Sequence, residues 1–249
     1  LTRDEFNSEL RQAFAKGDDQ MAFALIRDYR LFVKPFVDDM IRQSLTKELK
    51  GQAKESEEAK LIAGKTAAAF EKTFGEKSLT IAVNYLTTWT KEQKGIKLVA
   101  DSLYALGINL RGNEPEKALG YHQKALDLYK SIGDERGISE VLGGLGLIYT
   151  FSKDYNTSLS YYKEALLKRE EVDDKVLIGN TLNSIGSIYY GIFSDYPLAL
   201  NYFDRAEKIR AEFGDSLNLG RTIHLKASTL ENLGQNEQSL QYYKRSLRL

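Results

Sequence analysis

Two neighbouring stretches decide the fold: EVLGGLGLIYTFSKDYNTSLSYYKEALLKREEVDD, residues 140–174, and NTLNSIGSIYYGIFSDYPLALNYFDRAEKIRAEFGD, residues 180–215. When Gly146 is aligned with Gly186, the two stretches show small, apolar and aromatic residues in the same order. Blocks of the same kind begin at Ser102 and at Arg221. Self-similarity at a fixed period of several tens of residues is typical of helical-repeat arrays.

Three sets of small residues keep the period at 39 to 41 residues across the four blocks. Small side chains at fixed positions allow two helix backbones to approach closely. The sets, in block order, are Gly107, Gly146, Gly186 and Ala227; Ala118, Ser158, Ala199 and Ser239; and Ala125, Ala165, Ala206 and Ser246.

Each block is predicted to form two helices. Leu142, Leu145 and Ile148 follow helical spacing in one half of the second block, and Leu159 and Tyr162 do so in the other. Between blocks the chain returns to a glycine or aspartate pair that suits a helix end followed by an N-cap. Prolines suit the first turn of a helix, where no N–H partner is lost. These helix-end residues are Gly133-Asp134, Asp173-Asp174, Gly214-Asp215, Pro115 and Pro197.

The pattern resembles the tetratricopeptide repeat over roughly residues 100–249. The resemblance rests on an apolar-Gly pair such as Leu145-Gly146, an aromatic three residues later, and the A-x-x-x-[YF]-x-x-A order of Ala199, Phe203 and Ala206. The period exceeds the family's usual value of about 34, which is similar to the long-period arrays of kinesin light chains and bacterial signalling proteins. The first block departs from the pattern at His122 and the fourth at Lys226.

The resemblance implies an all-α fold, an α-α superhelix, preceded by a small helical subdomain. We predict a subdomain over residues 1–56 and an array over residues 57–249, with clear repeats from about residue 100. Residues 57–99 are open to interpretation as a worn fifth unit, because Ala68 lies 39 residues before Gly107 and Gly75 falls where a turn is needed.

Composition excludes several function classes. The chain has 35 Lys and Arg against 35 Asp and Glu, so the formal net charge is zero and nucleic acid is not expected as a partner. The absence of cysteine excludes disulfides and thiolate chemistry, and two histidines do not suggest a metal site. No run of apolar residues is long enough for a membrane span. We expect no cofactor and no enzymatic activity, and the localisation is left unknown.

Two glycine-containing motifs are interpreted as helical. Gly64-Lys65-Thr66 has Ala59 where a phosphate-binding loop needs glycine. Gly143-Gly144-Leu145-Gly146 lies in a block whose siblings are helical. His122 is predicted to pack between helices, in the place of an aromatic residue.

In the tetratricopeptide family, first helices line a concave face that binds peptides or partner segments. We predict that binding uses residues of first helices that lie off the core stripe. Asn183 could hold a peptide backbone, Arg221 could bind a carboxylate, and aromatic residues could act as anchors. The predicted residues are Tyr104, Arg111, Phe151, Asn180, Asn183, Tyr190, Arg221 and His224.

Three functions stay open. The first is a non-catalytic module for protein–protein or protein–peptide interaction. The second is a sensor or regulatory region of a larger bacterial signalling protein, such as a kinase, cyclase, transcription regulator or caspase-like peptidase. The third, by resemblance, is a peptide-pheromone receptor of the response-regulator phosphatase type, although none of Gln12, Gln20 and Gln43 aligns with that group's catalytic glutamine.

The last helix keeps an apolar stripe of Leu240, Tyr243 and Leu247. Repeat arrays need a terminal unit with a polar outer face, because each unit otherwise leaves apolar surface uncovered. We therefore expect a further helix after Leu249, or a second copy of the chain, to cover this stripe.

Overall fold

The computed structural model describes residues 1–248, apart from the side chain of Leu217. Within that part of the chain every regular element is helical, which confirms the all-α class. The helices are α1 (Arg3–Lys16), α2 (Asp19–Asp28), α3 (Arg30–Leu49), α4 (Ala53–Phe74), α5 (Ser78–Thr88), α6 (Lys91–Leu110), α7 (Pro115–Ile132), α8 (Glu135–Phe151), α9 (Tyr155–Glu171), α10 (Lys175–Ile188), a π-helix (Tyr189–Phe193), α11 (Tyr196–Phe213), α12 (Ser216–Asn232) and α13 (Asn236–Ser246).

The chain divides into two compact units. Unit 1 comprises Leu1–Ser102 and Asp127–Asp134, and unit 2 comprises Leu103–Leu126 and Glu135–Leu249. In unit 2, α8 pairs with α9, α10 with α11 and α12 with α13, while α9 also packs on α10 and α11 on α12. The predicted helix pairs of the second, third and fourth blocks are therefore confirmed, and they are stacked in the manner of an α-α superhelix.

Glycine is required where the two helices of a pair meet. A Cβ atom on Gly146 would lie 2.8 Å from the ring of Tyr162, and one on Gly186 would lie 2.7 Å from the ring of Phe203. Both rings are buried and belong to the second helix of the pair. The small residues that mark the period therefore mark the points where the helices cross.

His122 occupies the same position in the first block, as predicted. It is fully buried, its Nδ1 donates to the backbone oxygen of Ala118 at 2.9 Å, and its ring meets that of Tyr104 edge-on. Nε2 has no hydrogen-bond partner among the described residues. Burial lowers the pKa of His122, because the imidazolium would lose its hydration there.

Aspartate caps and glycine ends form as predicted. Gly133 and Gly214 adopt left-handed backbone with φ of 68° and 72°, and Asp173 takes the corresponding place with φ of 59°. Pro115 begins α7, and Pro197 lies in the first turn of α11. Side chains that accept a hydrogen bond from the backbone N–H three residues later are Asp154, Asp174, Asp195 and Asp215.

Unit 1 contains a helix pair that the sequence interpretation missed. Ser56 Oγ, on α4, donates to the backbone oxygen of Ser44, on α3, at 2.9 Å. The corresponding hydroxyl of Ser158 donates to the oxygen of Gly146 at 2.7 Å, again twelve residues earlier. Ala63 lies seven residues after Ser56 and is buried, as small residues of the repeats are at this distance. The α3–α4 pair therefore packs like a repeat.

The interpretation of residues 57–99 as a unit centred on Ala68 is corrected by this pairing. Ala68 is exposed, so it does not lie at a helix crossing. The turn predicted at Gly75 does form, with φ of 67°, but α4 before it already pairs with α3. The predicted boundary between residues 56 and 57 falls within α4.

The final helix exposes the two leucines of its predicted stripe. Leu240 of α13 and Leu247, which follows the last residue of α13, are exposed, whereas the related Leu159 and Leu166 of α9 are buried. Leu249, from which the expectation of a covering helix or second copy was drawn, lies outside the described residues, and that expectation stays a prediction.

Candidate functional site

Unit 2 contains a groove with a volume of about 650 Å³. First helices α8, α10 and α12 and the π-helix supply most of its lining, which mixes apolar side chains such as Leu147 and Leu225 with polar ones. The polar residues are Thr150, Tyr155, Tyr162, Asn180, Asn183, Ser184, Ser187, Arg210, Asn218 and Arg221.

Arg221 supplies an uncompensated positive charge to this groove. Its side chain is exposed, and no described residue forms a hydrogen bond or ion pair with it. The other charged lining residue, Arg210, pairs with buried Asp215 at 3.0 Å. Burial lowers the pKa of Arg210, while Asp215 opposes that shift. The groove therefore offers one free guanidinium to an incoming anionic group.

Two asparagines of α10 line the groove in different ways. Asn183 is 9% exposed, and its Nδ2 donates to Thr222 Oγ1 of α12 at 2.9 Å. This amide ties two first helices together, and the expectation that Asn183 holds a peptide backbone stays a prediction. Asn180 is exposed, and its Oδ1 accepts from Arg210 Nη2 at 2.8 Å.

The other predicted residues lie outside the groove lining. The Tyr104 hydroxyl donates to the backbone oxygen of Glu140 at 3.0 Å, and burial raises its pKa. Tyr190 lies in the π-helix and accepts from Asn232 Nδ2 at 3.1 Å. Phe151, at the end of α8, is 63% exposed.

Two more of the predicted residues are placed elsewhere in unit 2. Arg111 follows the last residue of α6, and exposed His224 lies against the ring of Tyr243. The structure thus brings Asn180, Asn183 and Arg221 together and separates them from the remaining five.

The π-helix is an unpredicted part of the groove. The third block has one extra residue between its helices, and this residue is accommodated by widening the last turn to Tyr189–Phe193. The backbone N–H of Asp195 then donates to the oxygen of Tyr189 at 3.0 Å. Ile192, which is 46% exposed, enters the groove lining. In the sequence, the signal for the π-helix was the length of the connection between the two helices of the third block. Single π-helical turns are frequently found at functional sites.

Asn218 is another groove residue that the sequence analysis did not single out. It lies one helical turn before Arg221, and its Nδ2 donates to both carboxylate oxygens of Asp215 at 3.0 Å. Because Asn218 lies only three residues after the N-cap Asp215, its position in the sequence indicates a role at the helix end rather than in binding.

The two glycine-containing motifs are helical, as predicted. Gly64-Lys65-Thr66 lies within α4, and Gly143-Gly144-Leu145-Gly146 lies within α8. Among the described residues, no group of three or more histidine or acidic side chains is arranged to hold a metal ion. Within residues 1–248, no helix has the length and hydropathy of a membrane span.

Helix pairs stacked around a groove of first helices define a helical-repeat protein. The tetratricopeptide-repeat family model matches residues 137–212, so these residues are tetratricopeptide repeats and the predicted family is confirmed. Among solved structures, the crystal structure of BtubC (BKLC) from P. vanneervenii is similar, with a TM-score of 0.50 and 15% identity over 100% of this chain and 91% of that one. At this identity the likeness shows the fold alone. A search of curated proteins found no match. Tetratricopeptide repeats generally mediate protein–protein interactions and are typically non-catalytic.

Proposed function

We propose that this chain is a non-catalytic interaction module that binds a segment of a partner protein in the groove of unit 2. The observation that carries the proposal is the free guanidinium of Arg221 in a groove of about 650 Å³. Rigid helices hold the polar groups in place, which limits the entropy lost when a partner binds. The neutral net charge favours a protein over a nucleic acid as partner.

The mixed lining indicates what such a segment would carry. An acidic side chain would meet Arg221 in a charge-assisted hydrogen bond. Apolar side chains would bury surface against Leu147, Ile192 and Leu225. The segment would therefore combine an acidic residue with neighbouring apolar residues.

The test is a selection of short random peptides displayed against the wild-type protein, followed by titration of the selected peptide. Arg221→Ala should weaken binding by roughly 1–2 kcal/mol, because one charge-assisted contact is lost. Its urea midpoint should not fall, since no described residue forms a hydrogen bond or ion pair with Arg221. Lys208→Ala is the matched control, because Lys208 is exposed on α11 outside the groove. Full affinity of the Arg221→Ala variant, or failure to select any peptide, would refute the proposal.

A sensor region and a peptide-pheromone receptor are narrower forms of the same activity. Neither has an observation of its own in the structure. The glutamines relevant to the receptor lie in unit 1, where Gln43 Nε2 donates to Asp39 at 2.7 Å and Gln12 Nε2 donates to Ser8 Oγ at 3.4 Å.

A further inference from the structure

Unit 1 contains a cleft of its own, with a volume of about 330 Å³, between α1 and α4. Both helices pack on α3. The apolar part of the lining consists of Phe14 and Ala15 from α1 and Leu61 and Ile62 from α4. Leu61 is 59% exposed, so the apolar surface of this cleft is open to solvent.

The charged residues at the edge of the cleft differ in how far they are neutralised. Arg11 lies 3.8 Å from Asp39 of α3. Lys65 forms no ion pair with a described residue, and its ammonium lies 5.8 Å from the centroid of the Phe14 ring. Glu58 also lines the cleft and has no cationic partner among the described residues. The cleft therefore offers the full positive charge of Lys65.

The two unneutralised charges give the cleft a direction. Glu58 and Lys65 are seven residues apart on one face of α4, which separates them by about 10 Å along the helix axis. An anionic group is attracted to the Lys65 end and repelled from the Glu58 end. Between these ends lie the apolar side chains of Leu61 and Ile62.

We propose that this cleft binds a small aliphatic carboxylate. The carboxylate would contact Lys65, and the hydrocarbon chain would lie along Phe14, Leu61 and Ile62. An extended chain of eight carbons is about as long as the wall between Glu58 and Lys65. This site lies within unit 1 and is separate from the partner binding proposed for unit 2.

The size of the cleft favours a small molecule over a protein segment. Small-molecule pockets typically have volumes of roughly 300–1,000 Å³, and this cleft lies at the lower end of that range. A helix of a partner, with a diameter of roughly 10–12 Å, needs a wider groove. Each CH₂ group that is fully buried strengthens binding about fourfold, so chain length should control affinity.

The first arm of the experiment titrates octanoate into the full chain with ¹³C-labelled methyl groups, below the concentration at which octanoate forms micelles. We expect saturable shifts of the Leu61 and Ile62 signals and none at Leu31, an exposed leucine of α3 outside the cleft. Hexanoate should bind severalfold more weakly, because two CH₂ groups are missing. Octanol, which has the same chain without a charge, should also bind severalfold more weakly.

The second arm tests the charge and the space separately. Lys65→Gln should weaken octanoate binding severalfold and leave octanol binding unchanged, whereas Lys54→Gln, at an exposed position of α4 outside the cleft, should change neither. Ala15→Trp should fill the cleft and abolish binding of both ligands. Ala15 is exposed, so the fold should tolerate this change, and Ala68→Trp on exposed α4 surface is its control.

Several outcomes would overturn the proposal. One is the absence of saturable shifts at Leu61 and Ile62, and another is an equal response at Leu31. Equal affinities for octanoate and octanol, or octanoate binding that survives Lys65→Gln unchanged, would refute the role of Lys65. Octylamine binding as tightly as octanoate would show that Glu58 selects the ligand instead, which also contradicts a carboxylate site. None of these results bears on peptide binding by unit 2.

Discussion

The helix pair α8–α9 of unit 2 and the pair α3–α4 of unit 1 share one contact and differ in another. In both, a buried serine hydroxyl donates to a backbone oxygen twelve residues earlier. Four residues after that serine, α9 has buried Tyr162, whereas α4 has Lys60, which forms a surface ion pair with Glu57. The comparison indicates that small residues at the crossing define the pair and that the aromatic ring is an addition.

Among the variants of the repeats in unit 2, the largest loss of stability is expected when a buried ion pair is disrupted. Asp215→Ala leaves Arg210 without its partner in a buried site and also removes the cap of α12. We expect a loss of about 3–5 kcal/mol in the free energy of unfolding, measured by urea titration. Asp154→Ala is the control, because exposed Asp154 only caps α9 and should cost about 0.5–2 kcal/mol. Equal losses would show that the ion pair adds nothing to the cap.

Leucine at the crossing should damage both pairs similarly. Gly146→Leu would place its side chain against Tyr162, and Ser44→Leu would force α3 away from α4. Each substitution should cost roughly 1–3 kcal/mol in urea titrations. Gly120→Ala, in α7 with nothing within 4 Å of an added Cβ, should be neutral or stabilising by up to about 1 kcal/mol. An unaffected Ser44→Leu would show that α3–α4 is not packed as a repeat.

Removal of the shared hydroxyl is a milder test of the same likeness. Ser56→Ala and Ser158→Ala each remove the bond to the backbone oxygen and a second bond to a hydroxyl, that of Ser44 or of Thr150. Each variant should therefore lose about 0.5–1.5 kcal/mol for every hydrogen bond removed. Alanine fits this position, since Ala118 and Ala199 occupy it in two other blocks. Differential scanning calorimetry of the two variants checks whether their losses agree. A loss of stability in only one of the two variants would contradict the similarity between the α3–α4 and α8–α9 pairs.

The smallest effect concerns the histidine that replaces the aromatic residue in the first block. The folded-state pKa of His122 lies below its ordinary value of 6.5, so the unfolded chain takes up a proton first as the pH falls. Wild-type stability should therefore decrease relative to His122→Phe below a pH of about 6.5, and the difference should be constant above it. Phe203 fills this position in the third block, which makes Phe a matched replacement. A pH-independent difference would contradict the buried neutral imidazole.

The regular repeats were predictable because three sets of small residues kept one period. The α3–α4 pair was not, since Ser44 stands more than sixty residues before Gly107 and Lys60 takes the place of the aromatic residue on α4. The twelve-residue spacing within the α3–α4 pair is the same as in the repeats. The sequence analysis, however, relied on the spacing between units. Ala68 matched the period and is nevertheless exposed.

The groove was predictable only in part. Helical spacing placed Asn180 and Arg221 on first helices, and the structure puts both in the groove. Helical spacing could not reveal that the Asn183 amide donates to Thr222, because this hydrogen bond joins residues 39 positions apart. Nor could it show that Arg210 and Asp215 orient Asn180 and Asn218, since this depends on burial of the pair.

The central claim is that a partner binds in the groove of unit 2, and site-specific photo-crosslinking tests it most directly. A photoreactive amino acid replaces Ser187 in the groove or Lys208 on α11 outside it, and the selected peptide is added under illumination. At a peptide concentration near the wild-type dissociation constant, we predict cross-links from position 187 whose yield falls severalfold with Arg221→Ala, and none from position 208. Cross-links of equal yield from both positions, or from position 208 alone, would contradict the claim.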